Sequence, residues 1–500
     1  MRCFLLPLFL VSLAGGCARR PDGPNILVIT LDTTRRDHLG LYGYPLPTSP
    51  NLDRLAKDSV VYTNAYAVSS WTMPTHASMF TGKFPTAHGA NYDPEGPLNL
   101  GEGIGKDYGG YRARPIAEDE LTLAAILTEH GYRTAGIIAG PWLLGRFRLG
   151  KGFEHWDDAG VSNLNGRPAA DVSDQAIAYV DAHADEPFFL FLNYYDPHSP
   201  WYDEPPKGPD GKPTRMPKPL QGEQVQHVVP RDRDSSQMDY TAFATICYDA
   251  EIRYMDREIG RLLDHLKLRG LYEKTWIFVL SDHGELLDDP VLWDPARART
   301  ITPETKPEEP EKKPLTTPAG LWGHGDSLTE PEIHIPFLVK EPGPGGRTGH
   351  DAALVQQTDL LPTILARLGL PLPPDVQGRP LGEKHPIVAE LYKLPMMNRD
   401  PKERPPKDWR HLGDWRVLID GTDKYGWSSN GTPFLIDLEA DREELHNLVE
   451  LQAARARELE QALLTYLRLL PRPGATGEVE QPTAEELKVL EGLGYLGGDE

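Results

Sequence analysis

The sequence predicts an α/β protein: a large, mostly parallel central sheet flanked by helices, followed by a smaller C-terminal α+β subdomain. Three observations predict it. First, continuous apolar runs rich in β-branched or aromatic residues recur along the chain: NILVITL at Asn25–Leu31, FFLFLN at Phe188–Asn193 and TWIFVL at Thr275–Leu280. Strands buried on both faces read this way, whereas half-exposed strands alternate. Second, helical spacing separates them. The longest case is Tyr240–Lys267, where Ile252, Met255, Ile259, Leu262, Leu263 and Leu266 form one stripe. Third, each apolar run leads into acids or histidines, and in open α/β sheets the chemistry collects at the carboxyl ends of the strands.

Length and composition set the limits. The 500 residues are 39% hydrophobic and 25% charged, enough for one large core and a smaller one. The formal net charge is −22 with no basic stripe, which argues against nucleic-acid binding. Residues 1–17 read as a signal peptide: Arg2, an apolar run Phe4–Leu13, then Ala14-Gly15-Gly16-Cys17. Small residues before Cys17 look like a bacterial lipoprotein box. Lipidation of Cys17 would attach the protein to a membrane in the cell envelope. Beyond Cys17 only Cys247 remains, so no internal disulfide is expected without Cys17 itself.

The first strand, Asn25–Leu31, delivers Asp32. Pro50–Ala56 reads as a short helix and Val60–Tyr62 as a strand. The stretch Ser69–Gly82, SSWTMPTHASMFTG, follows. Pro74 suits a first helical turn and Gly82 a stop, so Ala77–Phe80 is expected to be helical with Thr72 just before it. A hydroxyl there lies beside unpaired N–H groups, either as an ordinary cap or as part of an anion site. Asn91–Pro115 reads as a Gly-rich surface loop, Glu120–His130 and Asp171–Ala182 as helices, and Arg133–Ile138 as a strand. The strand Phe188–Asn193 leads into Asp196 and His198. Pro200–Arg233 reads as a surface excursion. The strand Thr275–Leu280 leads into Asp282 and His283. Asp288–Pro318, rich in Pro and Glu, reads as a disordered or lid-like insertion. Gly323-His324-Gly325 comes next, then a strand at Pro336–Val339 and a helix at Asp359–Leu368. Strands at Pro386–Glu390, Trp415–Ile419 and Phe434–Asp437 and a helix at Leu451–Leu470 make the subdomain. The expected divisions are 24–375, 376–475 and a tail at 476–500.

Together these segments resemble the sulfatase family of the alkaline-phosphatase-like superfamily, from about Asn25 to Leu448. Ser69–Gly82 is similar to its Ser/Cys-x-Pro-x-Arg signature, with Thr72 at the nucleophile position and His76 at the Arg position. Asp32-Thr33-Thr34-Arg35-Arg36-Asp37 resembles Asp-Asp-x-Arg-x-Asp, with Thr33 in place of the second acid. Ala139-Gly140-Pro141-Trp142 stands where sulfatases carry Gly-Lys-Trp-His. Asp282-His283 matches the Asp-His form of the phosphatase and phosphodiesterase members. The closing Leu435–Leu448 segment matches as well. The resemblance implies Asp32, Thr72, Asp282 and His283 as metal ligands, and Arg35 and His76 as substrate contacts. Asp196, His198 and His324 would form a second metal site, or His198 and His324 would bind phosphate and protonate the leaving group.

Transfer of a phosphoryl or sulfuryl group needs a nucleophile, charge neutralisation and in-line positioning. Mixed carboxylate and imidazole ligands suit Zn or Mn, as one ion or two, better than Ca, which a sulfatase-like site would take. Thr72 carries a β-methyl and cannot become formylglycine. The expected function is therefore a metal-dependent hydrolase or phosphotransferase acting on phosphate mono- or diesters through Thr72. Its substrate would be a small-molecule, glycan or lipid ester. The rival expectations are a sulfuric ester hydrolase using Thr72 unmodified, and an inactive surface-binding lipoprotein.

Overall fold

A computed structural model describes residues 23–93, 95–99, 112–161, 166–198, 240–287, 299–300, 322–325, 327–392, 414–428 and 433–469. The readings made above for residues 1–17, Pro200–Arg233, the tail and nearly all of Asp288–Pro318 lie outside them.

Eight strands form the central sheet: β1 (Asn25–Leu31), β2 (Val60–Tyr66), β3 (Arg133–Ile137), β4 (His155–Asp157), β5 (Phe188–Tyr194), β6 (Thr275–Ser281), β7 (His334–Lys340) and β8 (Gly349–Gln356). Their spatial order is β8-β2-β7-β6-β1-β5-β3-β4. Every pairing is parallel except those of β7, which runs antiparallel to both β2 and β6. The continuous apolar runs explain the centre. In β1, Ile26 and Val28 join one core while Leu27, Ile29 and Leu31 join the other, so both faces are buried. Each buried side chain of that size contributes about 1.5–3 kcal/mol.

The parallel register levels the strand ends. Leu31 pairs with Tyr194 on one side and with Ser281 on the other. The residues just beyond, Asp32, Tyr195 and Asp282, therefore emerge on one rim of the sheet.

The helix carrying Thr72 differs from the expectation. It spans Thr72–Thr81 rather than Ala77–Phe80, with Trp71 as an extended cap, so Thr72 is its first residue rather than a residue outside it. All ten residues are buried. The short apolar stretch hid a helix whose polar residues pack inward. Gly82 ends it in the left-handed region at φ 67°, with its N–H donating to the Ser78 carbonyl at 2.8 Å. Asn91–Pro115 is also different: three short strands at Asn91–Tyr92, Leu98–Asn99 and Arg112–Arg114 pair antiparallel.

Beyond the central sheet, Ile387–Leu391, Trp415–Asp420, Asp423–Ser428 and Phe434–Asp437 form a four-stranded antiparallel sheet. The helix Ala453–Leu469 packs on it through Leu459, Ala462 and Leu463, with Val68 and Phe84 of the large unit in the same core. Among the described strands longer than three residues, two went unread in the sequence. β8 is an edge strand with exposed Gly349 and His350, and Asp423–Ser428 carries polar residues and a glycine. Among the described residues no helix is long and apolar enough to cross a membrane.

Candidate active site

The rim brings Asp32, Asp282 and His283 together, with ligand atoms within 4.8 Å of one another and all three residues fully buried. Each is held from behind. The Asp282 Oδ1 accepts from the Thr33 N–H at 3.1 Å and the His283 N–H at 2.9 Å. The Asp32 Oδ2 accepts from Asn193 Nδ2 at 3.3 Å. The His283 Nδ1 lies 2.9 Å from the Gly284 carbonyl. Since only an N–H can serve that contact, Nε2 carries the lone pair, and Nε2 lies 3.3 Å from Asp282 Oδ2 and 3.3 Å from Thr72 Oγ1.

Two oxygens in the cluster, Asp32 Oδ1 and Asp282 Oδ2, are buried without a hydrogen-bond partner. Burial pushes the Asp282 carboxyl up to about 7, and burial together with the Asp282 charge pushes Asp32 well above the usual carboxylate range. Burial also drives His283 well below its ordinary value, so it brings no positive charge. Two orphaned carboxylate oxygens and an imidazole lone pair at one point fit a divalent cation, because an unpaired buried charge is otherwise costly.

Glu285 and Asn193 belong to the same site. The fully buried Glu285 places Oε2 3.0 Å from His324 Nδ1. Burial opposes protonation of His324, but the Glu285 charge and hydrogen bond outweigh it, and the pKa rises. The His324 ring lies 4.4 Å from that of His283 and 4.9 Å from that of His198, which stacks on Tyr195. The signal for both residues was a polar side chain at or just past the end of an apolar run. Gly284 lets this turn pass against β7's approach. Its N–H donates to the Glu332 carbonyl at 2.7 Å, and a Cβ there would collide with the Pro331 carbonyl.

Three expected roles change. Asp196 does not join His198 and His324 in a second metal cluster: Asp32, Asp282 and His283 are the one such group among the described residues. Asp196 Oδ1 instead accepts the N–H of Ala169, the first residue of the helix Ala169–Ala182, at 3.0 Å. His76 turns inward. Its Nδ1 lies 2.8 Å from the Thr72 carbonyl and its Nε2 3.1 Å from Thr30 Oγ1, and its ring is edge-on to Phe191. Burial lowers its pKa to about 4, so it supports the helix start as a neutral ring and offers no cation to a substrate. Arg35 grips Asp37 through two contacts of 2.9 and 2.7 Å and donates to the Glu285 carbonyl at 3.3 Å. It braces the loop after β1.

A buried hydroxyl thus faces a carboxylate–imidazole cluster of a kind that fits a metal ion, at the carboxyl rim of a mostly parallel sheet. The chain belongs to the sulfatase family, whose model, "Sulfatase", matches residues 24–370. It is 27% identical to an ulvan-active sulfatase of Formosa agariphila over 411 residues, 76% of this chain and 69% of the relative. It is 25% identical to a multifunctional alkaline phosphatase superfamily protein of Trinickia caryophylli, over 88% of this chain and 95% of that one. The phosphonate monoester hydrolase of Agrobacterium radiobacter shares the fold, with a TM-score of 0.58 at 19% identity, covering 89% of this chain and 95% of that one. The protein is accordingly a hydrolase of the sulfatase family acting on ester bonds.

Proposed function

We propose that the protein cleaves or transfers phosphate mono- or diesters, with Thr72 as nucleophile. The observation that carries this reading is the Thr72 hydroxyl, 3.3 Å from His283 Nε2 beside the two orphaned carboxylate oxygens. Its β-carbon bears a methyl group, which bars conversion to formylglycine. Asp32, Asp282, His283 and Thr72 would hold a Zn or Mn ion. Such an ion supplies a lowered pKa for the hydroxyl and neutralises charge on the transferring group.

The residues of the chain do the rest. The Thr72 oxygen, in its ionised form, forms a bond to phosphorus as the bond to the leaving oxygen breaks. His324, held by Glu285, gives its proton to that oxygen. Water, or an acceptor alcohol, then cleaves the threonine ester. No Lys or His stands at Ala139–Trp142 to hold a sulfate; Trp142 is buried there, edge-on to Trp71.

A second reading, sulfuric ester hydrolysis with Thr72 unmodified, is favoured by the sulfatases among the relatives. An assay of aryl phosphate, bis(aryl) phosphate and aryl sulfate with added Mn or Zn separates the two. Turnover of a phosphate ester at least about tenfold above the sulfate supports phosphoryl transfer; a wide preference for the sulfate overturns it. We further read Cys17 as lipidated, holding the enzyme in the cell envelope. Cys17→Ser should release it from the membrane fraction or leave it unprocessed, and a wild type found wholly in the soluble periplasmic fraction would refute this.

A further inference from the structure

We infer that Gln357 is a positioning residue that couples the metal-bearing end of β6 to the segment leading into the Thr72 helix. The inference rests on Asp282 as a metal ligand and Thr72 as the nucleophile. Gln357 lies in a single helical turn, Gln357–Asp359, between β8 and the helix Leu360–Leu368, and is fully buried. All of its amide is used. Nε2 donates to the Ser281 carbonyl at 3.0 Å and the Asp282 carbonyl at 2.6 Å. Oε1 accepts the Val68 N–H at 3.0 Å.

One side chain thus bridges a ligand residue and a peptide four residues ahead of the nucleophile. Val68 is gripped from the other side as well, because its carbonyl accepts the Glu390 N–H at 2.8 Å. Thr72 Oγ1 and His283 Nε2 are set 3.3 Å apart by elements that share no strand pairing near this point, since β2 pairs with β7 and β8. Without the amide, three buried backbone groups lose their partner, and the distance between the two elements is no longer fixed by a polar contact. The turn itself is secured independently: Gln356 and Asp359 form a capping box, and Asp359 Oδ1 accepts the Arg379 N–H at 3.0 Å.

Thr363, in the helix that follows, provides an internal control. It is also buried, but its Oγ1 accepts the Leu381 N–H at 2.8 Å and it takes no part in the turn's capping box. Removing its hydroxyl should cost stability without touching the site.

The test compares Gln357→Met, the near-isosteric Gln357→Glu and the control Thr363→Val in the full chain. Calorimetric titration with Mn2+ alone gives affinity, and phosphate-ester kinetics separate kcat from KM. Both Gln357 variants should bind Mn2+ about 10–100-fold more weakly, as loss of outer partners does. Their kcat should fall by a similar factor with KM within about threefold. Thr363→Val should keep Mn2+ affinity and kcat within about twofold. Where the Gln357 variants fail to fold, hydrogen exchange on the wild type decides. Mn2+ should slow exchange in a peptide containing Val68 together with one spanning Ser281–Gly284. Gln357 variants with wild-type affinity and kcat, or protection at Ser281–Gly284 with none at Val68, overturn the inference alone. A wild type that takes up no metal overturns it together with the metal reading beneath it.

Discussion

Among the described residues, two carboxylate pairs set into the interior are solved differently. Glu330 and Glu444 share Lys424, whose Nζ lies 3.4 Å from Glu330 and 2.6 Å from Glu444, with the lysine side chain fully buried. His334 adds a contact of 2.7 Å to Glu330, and Glu444 also accepts the Glu330 N–H at 2.9 Å. Asp32 and Asp282 are buried more completely, yet ring nitrogens of His283 and His76, which burial drives toward the neutral form, lie beside them. The first pair carries its cation within the chain and ties the small sheet to the large unit. The second leaves an oxygen of each acid without a partner. A closed pair contributes to architecture; an open pair is what the proposed metal-dependent chemistry requires.

The largest expected effect tests the open pair. Asp282→Asn should reduce turnover by about a thousandfold or more and abolish stoichiometric metal uptake, because a ligand is gone. In metal-free protein it should not lower the melting temperature, since it removes one of two buried carboxyls whose ionisation burial already opposes. A clear fall in melting temperature without metal would mean that the pair is structural after all. Thr72→Ala belongs to the same rank: comparable loss of turnover, with Thr72→Ser retaining part of it.

Next comes His324→Ala, which should lower kcat by about 10²–10⁴. Metal content, measured by elemental analysis, should stay unchanged, because His324 lies outside the cluster. Loss of half of two bound ions would restore the binuclear alternative and blur the contrast between the pairs.

Lys424→Met tests the closed pair. It strands two buried acids and should destabilise by about 3–5 kcal/mol in denaturant unfolding, while kcat per folded molecule is preserved. A cost below about 1 kcal/mol would show that the lysine is dispensable and that the pairs are less distinct than drawn.

The smallest effect is a pH dependence. Burial opposes ionisation of Glu330, but the His334 and Lys424 charges win and hold its pKa at about 2, below the ordinary 4.5. A depressed carboxyl contributes stability that is complete above its unfolded pKa and fades as pH falls from about 4.5 toward 2. Glu330→Gln should flatten that part of the unfolding profile; an unchanged slope would contradict the pairing.

Much of this was legible in the sequence, for identifiable reasons. A strand buried on both faces writes itself as an unbroken apolar run, so β1, β5 and β6 and the acids at their ends could be read directly. The family resemblance then placed Thr72 and His324. Reading failed where a side chain's direction mattered more than its type. His76 and Asp196 have the chemistry of site residues, but one supports a helix start and the other caps a helix, and spacing does not encode that turn. Glu285 and Gln357 were passed over because their partners lie 39 and about 75 residues away in the chain. The strand β8 escaped because an edge strand with polar residues lacks the continuous run.

The levelled register of the central sheet has a bearing on how the protein matures. Thr33 and Asp282 meet across 249 residues, and Thr72 and His283 across 211. Contacts so distant in sequence form late, after the entropy of closing long loops has been overcome, and they slow folding. No partial chain ending before β6 contains a complete cluster. Catalytic activity in this protein is therefore a late reporter of folding: it should appear after compaction and helix formation, in step with the pairing of β1 with β6, and a nascent chain stays chemically silent until that pairing is made.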